Sequence, residues 1–378
     1  MGLLTLRPSS GNTGESEVNM DSFLDNAATA ADIRHCRTMP AEWFQQSGVQ
    51  LTWPHAGTDW KYMLDDVVDC YLHLAFEIAT REKLLIVAPD PSAVRTFLEE
   101  KLPRRATDNI VCHACPTDDT WARDHAFITV TGPDGAELID FRFNGWGGKF
   151  GAENDNAINR HIYDAGLLRG RYVPALDFEL EGGSIESDGC GTLLTTSTCL
   201  LNPNRNAFLN KEQVTLKLQE LLGVERVLWL DHGHLAGDDT DAHVDTLARL
   251  CPDNTIVYVA CTDERDEHYA GLKKMEKQLR AFRTADGEVY RLVPVPLPDA
   301  IFDEDGERLP ATYANFLIMN TAVLYPTYGQ PENDDLARRA LQSVFPKYDL
   351  VGVDCRSLIR QHGSLHCATM QFPRYVLR

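Results

Sequence analysis

The sequence predicts an α/β protein built from a repeated unit of strands followed by a helix. Three observations carry this. Strand-period and helix-period segments alternate from Met39 onward. The succession returns at intervals of very roughly 60 residues, a period that suits a blade-like or propeller arrangement. No linker rich in Pro, Gly or Ser divides the chain after Met39, so residues 39–378 read as one domain. An ordinary doubly wound sheet would produce a similar succession of elements, and the pattern alone does not separate the two.

The elements follow in order. Leu64, Val67, Val68, Tyr71, Leu74 and Ile78 fall at helical spacing and predict an amphipathic helix over about 60–80. The apolar run 84–88 stops at Pro89-Asp90 and reads as a buried strand. Ser92 is placed to cap a helix running to about Leu102. Segments 125–131 and 137–144 read as paired strands, because Gly132-Pro133-Asp134-Gly135 between them is turn chemistry. Further strands are expected at 192–197, 226–230, 255–260, 290–296, 316–325 and 350–354, and helices at about 211–222, 264–282 and 334–345. In the second of these, Tyr269, Leu272, Met275, Leu279 and Phe282 form the apolar face. Residues 1–38 lack such periodicity and read as a loosely ordered extension.

Composition removes whole classes of function. The formal net charge is −20; a nucleic-acid binder needs a basic footprint, so none is expected as partner. An acidic surface suits a small cationic ligand. The 10 cysteines are scattered along a long chain and predict reduced thiols in a cytoplasmic protein, not a disulfide framework. Cys112-His113-Ala114-Cys115 has ligand spacing but no second pair, which argues against a zinc ribbon. No run approaches 18 apolar residues, no h-region opens the chain, and Leu6 stands where a myristoylation signal needs Ser or Thr; neither export nor membrane attachment is expected.

Four segments bring together residue types that do chemistry. Asp118-Asp119-Thr120-Trp121-Ala122-Arg123-Asp124 crowds carboxylates beside an indole, as a cation-binding rim would. Phe143-Asn144-Gly145-Trp146-Gly147-Gly148-Lys149, and later Glu181-Gly182-Gly183-Ser184, let backbone approach a ligand, although neither has the spacing of a phosphate loop. The stretch from Asp231-His232-Gly233-His234 to Asp239-Thr240-Asp241-Ala242-His243-Val244-Asp245 is dense in metal-ligand types. It also reads as a catalytic base among carboxylates, since His243 and Asp245 fall on one side of an extended segment. Gln361-His362-Gly363-Ser364-Leu365-His366-Cys367 leads a turn to a cysteine with histidine neighbours, a setting for a nucleophile.

In their order along the chain these segments resemble the agmatine deiminases and the wider Porphyromonas-type peptidylarginine deiminase family. Met39-Pro40-Ala41-Glu42-Trp43, Thr52-Trp53-Pro54-His55, Asn204-Arg205-Asn206 and Leu309-Pro310-Ala311-Thr312-Tyr313-Ala314-Asn315-Phe316 extend the likeness over nearly the whole chain after residue 38. The resemblance implies the pentein fold, a five-bladed α/β propeller with pseudo-fivefold symmetry and an active site in the central channel. It puts Cys367 at the nucleophile position, His243 at the general acid/base position, and Asp124 and Asp245 at the guanidinium-binding positions. Trp121 and Glu181 match further substrate-binding positions. Asp239 matches the acidic contact to the amine tail of agmatine, although the sequence leaves open whether Asp239 or Asp241 plays that part.

The reaction so implied is hydrolysis of agmatine to N-carbamoylputrescine and ammonia, within putrescine biosynthesis, with no metal or cofactor. Departures from the family pattern keep alternatives in view. Gln361-His362 stands where agmatine deiminases carry glycines, so peptidylarginine, free arginine or another guanidino compound are rival substrates. From a different class comes a metal-dependent hydrolase built on His232, His234, His243 and Asp245, and from a third a binding protein without catalysis, against which the nucleophile, base and both aspartates argue. A homodimer is the default expectation for assembly.

Overall fold

The computed structural model describes residues 37–378. The extension expected at 1–38 therefore lies almost wholly outside the described residues. Arg37 and Thr38 are bonded into the body: Thr38 exchanges backbone hydrogen bonds with Thr131, and the Arg37 side chain reaches Glu137 and the carbonyl of Leu221.

The units are five small sheets, the blades of a propeller. The second blade holds β4 (Ile128–Gly132), β5 (Gly135–Arg142) and β6 (Arg171–Glu179), and the third β7 (Ile185–Ser187), β8 (Thr192–Thr196) and β9 (Arg226–Leu230). The fourth holds β10 (Ala248–Cys251), β11 (Thr255–Ala260) and β12 (Arg291–Pro296), and the fifth β13 (Leu317–Ile318), β14 (Ala322–Thr327) and β15 (Asp349–Asp354). In each, a short leading strand pairs antiparallel with the next strand, which pairs parallel with the third. The parallel pair needs a crossover, and a helix supplies it: Glu153–Asp164, Lys211–Leu222, Tyr269–Ala281 and Pro331–Val344 in turn. The first blade, β1 (Gln46–Thr52), β2 (Lys83–Ala88) and β3 (Ile110–Ala114), has no leading strand of its own; β16 (Thr369–Pro373) pairs antiparallel with β1 and closes the ring.

Several expectations are corrected. Asp90, not Ser92, caps the helix Pro91–Lys101; its Oδ1 accepts from the Ala93 amide, because Pro91 already occupies the first turn. Segment 125–131 becomes a strand only at Ile128, since Ala122–His125 closes a helical turn that swings Asp124 inward. Segment 316–325 is two strands, β13 and β14, with a tight turn between them. The helix Leu64–Ala79 buries Val67, Tyr71, Leu74 and Ile78, while Leu64 and Val68 are half-buried. No helix among the described residues is long and apolar enough to cross a membrane.

Where the five blades meet, the interior is charged. Arg249 on β10 is fully buried. Its guanidinium bonds to Glu186 on β7, to Glu42 Oε2 at 2.7 Å and to the Phe316 carbonyl ahead of β13, and stacks on the Phe316 ring at 4.6 Å. His366, ahead of β16, meets the same Glu42 oxygen at 2.7 Å, and its carbonyl accepts from Arg123 Nε, ahead of β4, at 3.3 Å. One guanidinium and its partners thus join all five blades. Replacing Arg249 with Ala would leave Glu42 and Glu186 buried without their cation. The expected loss is about 3–5 kcal/mol of unfolding free energy, read by chemical denaturation; a change under ~1 kcal/mol would remove the network from its structural role.

Candidate active site

The residues that precede the leading strands converge. Asp124 lies just before β4, Glu181 before β7, His243 and Asp245 before β10, Asn315 before β13 and Cys367 before β16. The repeat therefore delivers at least one polar side chain per blade to the axis, and all six are buried. Gly183 marks the meeting point. A Cβ there would lie 2.6 Å from His243 Nδ1, 2.9 Å from Asp124 Oδ1 and 3.1 Å from Asp245 Oδ2.

Asp124 is aimed by two donors. The Trp146 indole N–H reaches Oδ2 at 2.9 Å and the Gly183 amide reaches Oδ1 at 3.0 Å. Trp146 adopts φ +54° to do so, a conformation that costs a non-glycine residue energy and clusters at functional sites. His243 is set by a strained loop. Asp241 and Ala242 both have positive φ. Asp238 holds them there, its carboxylate accepting from the amides of Thr240 at 2.9 Å and Ala242 at 2.7 Å, while Thr196 Oγ1 donates to the Ala242 carbonyl at 2.7 Å. Both His243 ring nitrogens are buried without a hydrogen-bond partner, and Nδ1 lies 3.6 Å from Asp124 Oδ1. Asn315 organises the cysteine: its Oδ1 accepts from the amides of His366 at 2.8 Å and Cys367 at 3.3 Å, and its Nδ2 reaches Sγ at 3.4 Å.

Electrostatically the site joins two buried carboxylates to a thiol and an imidazole. Burial, then the neighbouring Asp245, pushes Asp124 well above the ordinary carboxylate range. Asp245 moves the other way: burial would raise it, but the hydrogen bond and charge of His366, together with His243 and Arg249, outweigh burial and hold it low. Burial followed by Asp245 and Asp124 drives the Cys367 thiol well above its usual value. Burial lowers His243 to about 3, so its ring is neutral at pH 7.

The other expected residues take distinct places. Trp121 is buried against Trp60, ring centroids 5.7 Å apart, and a Cβ on Gly363 would strike it at 2.3 Å. Glu181 has both oxygens on Arg205 Nε, at 2.8 and 3.0 Å. Asp241 is taken by Arg205 at 2.7 Å and Lys149 at 3.0 Å. Asp239 is half-exposed; Lys149 Nζ donates to its backbone carbonyl at 2.5 Å, while its carboxylate carries neither cation and lies 3.8 Å from His362 Nδ1. His362, at φ +64°, donates from Nδ1 to the Gly237 carbonyl at 2.6 Å and so ties the cysteine loop to the His243 loop.

His232 and His234 are exposed and do not join His243 and Asp245. Among the described residues the ligand-type groups within 4.8 Å of one another are Glu181, Cys199 and His243, and Glu42, Glu186 and His366. Asn315, Trp146 and Arg205 were given no role from sequence, although each lies in a segment that carries the family likeness. An amide or an indole has no titration or ligand signature by which a sequence would mark it out.

The comparisons with known proteins agree with this geometry. The model of the Porphyromonas-type peptidyl-arginine deiminase family matches residues 38–373. Agmatine deiminase of Stutzerimonas stutzeri is 33% identical over 365 residues, covering 90% of this chain and 96% of its own. A Porphyromonas gingivalis structure provisionally described as an arginine deiminase is 49% identical with a TM-score of 0.86, covering 90% of this chain and 100% of its own. A substrate-bound cysteine-to-serine variant of C. jejuni agmatine deiminase is 37% identical, TM-score 0.82, covering 91% and 98%.

Gly183→Ala should lower kcat/KM by about 10²-fold, because the methyl displaces His243 and both aspartates by a fraction of an ångström or more. Steady-state kinetics alongside the melting temperature check this; near-wild-type kinetics would mean that the three side chains do not need their present spacing.

Proposed function

We propose, since the chain belongs to the Porphyromonas-type peptidyl-arginine deiminase family, that it hydrolyses the guanidinium of agmatine to N-carbamoylputrescine and ammonia, a putrescine-forming reaction. The observation that carries the reading is the pair of buried carboxylates, Asp124 with no lysine or arginine bonded to it and Asp245 with Oδ1 unbonded, beside a buried thiol and a neutral imidazole. A guanidinium is planar, permanently charged and rich in donors, and supplies what the pair lacks. The agmatine deiminases among the relatives favour agmatine as the compound that brings it, while the 49% identical structure is described as an arginine deiminase and keeps arginine as the rival. So does Asp239, the rim carboxylate with no lysine or arginine upon it, which suits a primary ammonium.

The chemistry runs on this chain's own groups. Asp124 and Asp245 fix the guanidinium plane through their remaining lone pairs, which makes the attack effectively unimolecular. The bound cation offsets the charges that hold the Cys367 proton on. His243 takes that proton as sulfur adds to the central carbon, and passes it to the departing nitrogen. Ammonia leaves, and a cationic thiouronium remains on Cys367. His243 then takes a proton from water, whose oxygen adds to the carbon; the C–S bond breaks and the ureido product departs. The serine-for-cysteine relative with substrate bound accords with a cysteine nucleophile.

The test is ammonia release from agmatine, free arginine and a blocked arginine peptide in the presence of EDTA. Agmatine should be turned over best, and Cys367→Ala should release none while keeping its circular dichroism and melting temperature. Full activity in that variant would overturn the cysteine mechanism, and preference for the peptide would reassign the substrate.

A pH dependence follows with a definite sign. Protonated Asp124 cannot pair with the cation, and its pKa lies above the ordinary carboxylate range, so kcat/KM should fall as pH drops through a limb above that range. Asp124→Asn should abolish the limb along with most activity. A wild-type limb at ordinary carboxylate pH would contradict the assignment.

A further inference from the structure

His366 stands next to Cys367 in the chain, yet its imidazole faces away from the thiol and into the charged axis. It is 1% exposed. Its Nδ1 lies 2.7 Å from Asp245 Oδ2 and its Nε2 lies 2.7 Å from Glu42 Oε2. Its amide is held by Asn315 Oδ1 and its carbonyl by Arg123 Nε. The ring is thus fixed at both nitrogens and at both backbone groups. Arg249 Nη2 approaches Nε2 at 3.0 Å because both converge on the same Glu42 oxygen, which Arg249 meets at 2.7 Å.

We propose that His366 is a positioning residue for the deimination: its Nδ1–H clamps one oxygen of Asp245 so that the other is presented to the guanidinium. The geometry of Asp245 carries the argument. Oδ2 is taken by His366, while Oδ1 is buried with no hydrogen-bond partner. A carboxylate rotates about χ2 unless one oxygen is held, and a fully buried oxygen left empty is a vacancy for a donor. Nδ1 must carry the hydrogen, because a carboxylate only accepts.

The same clamp accounts for the opposite behaviour of the two aspartates. Asp245 is faced by His366, His243, Arg249, Asp124 and Cys367; Asp124 is faced by Asp245, His243, Glu181, Trp146 and the Gly183 amide. Only Asp245 has a histidine N–H bonded to it, and only Asp245 stays low. His366 itself is drawn down by burial, Arg123 and Arg249 and held up by Glu42 and Asp245; the imidazolium donates from both nitrogens at once, and the neutral ring keeps the clamp as the Nδ1–H tautomer. One ionised carboxylate is therefore already in place when the cation arrives.

The inference rests on the site accepting a guanidinium or amidinium cation, as proposed above, but not on agmatine being the substrate. Two substitutions separate clamp from packing. Asparagine places an amide N–H near the position of Nδ1, and glutamine places one near Nε2. His366→Asn should keep kcat/KM within several-fold of wild type. His366→Gln, like His366→Leu, should lose about 10- to 100-fold, the usual effect of removing a group that orients an acting residue. Its acid limb should also move to higher pH, because Asp245 without its donor stays protonated at higher pH and cannot hold a cation.

The second readout is alkylation of Cys367 by a cationic haloacetamidine, which needs the grip of Asp245 but no turnover; its rate should follow the same order and the same pH shift. Wild-type protein that is alkylated in this way yet releases no ammonia from agmatine would sink the substrate reading and leave the clamp standing. Equal losses and equal pH limbs in the Asn and Gln variants, or wild-type kinetics in a folded Leu variant, would overturn it. A lowered melting temperature with an unmoved pH limb would reduce His366 to a packing residue.

Discussion

The molecule is organised around a buried guanidinium. Arg249 draws Glu186, Glu42 and the Phe316 carbonyl to one point, and through Glu42 it fixes His366. Apolar clusters also pack neighbouring blades together, and the guanidinium adds the directional contact at which all five meet. An apolar axis of equal volume would hold the ring with less desolvation. The charged one does something more specific: it sets which side chain ahead of each leading strand turns inward and what charge it carries.

That arrangement produces a site built around a missing cation. Two carboxylates, a thiol and an imidazole are buried at the axis, each with its protonation displaced. Left alone, Asp124 and the thiol keep their protons while Asp245 is ionised. In the mechanism proposed above, a planar cation satisfies the aspartates and at the same time offsets the field that keeps the sulfur protonated, so recognition and activation become a single electrostatic event. A neutral electrophile gains neither effect. Such a thiol is guarded against adventitious chemistry without any lid, which matters for a nucleophile that is itself the reactive group.

The sequence was legible where periodicity is long and silent where it is short. The crossover helices of the third, fourth and fifth blades and the central strands follow from 3.6- and 2-residue patterns, whereas the crossover helix Glu153–Asp164 was not expected. Of the leading strands, β4 was read through its turn and β13 was merged with β14; β7, β10 and β16 are too brief for any alternation. Strand β6 contains Pro174 and is largely exposed, which disguised it. That Cys367, His243, Asp124 and Asp245 belong to one site was expected because their segments recur together in a known order, and the structure buries all four ahead of leading strands. Asn315, Trp146 and His366 were not expected there, since their roles arise from hydrogen bonds between residues far apart in the chain: 51 positions separate Asn315 from His366, and 121 separate His366 from Asp245. The metal reading of the histidine-rich stretch failed for a related reason. Spacing brought His232 and His234 near His243 in sequence, whereas the strained loop turns only His243 inward.

The closing strand has a consequence for biosynthesis. Among the described residues β16 is the last strand and pairs with the first, β1, and Cys367 sits two residues before it. A nascent chain with four blades formed has an open strand edge at β1, the kind of surface that invites pairing with other chains. It also has no thiol at the axis. Seating the final strand covers that edge and delivers the Cys367 thiol in one movement. Under the mechanism proposed above, catalytic competence then reports completion of the ring.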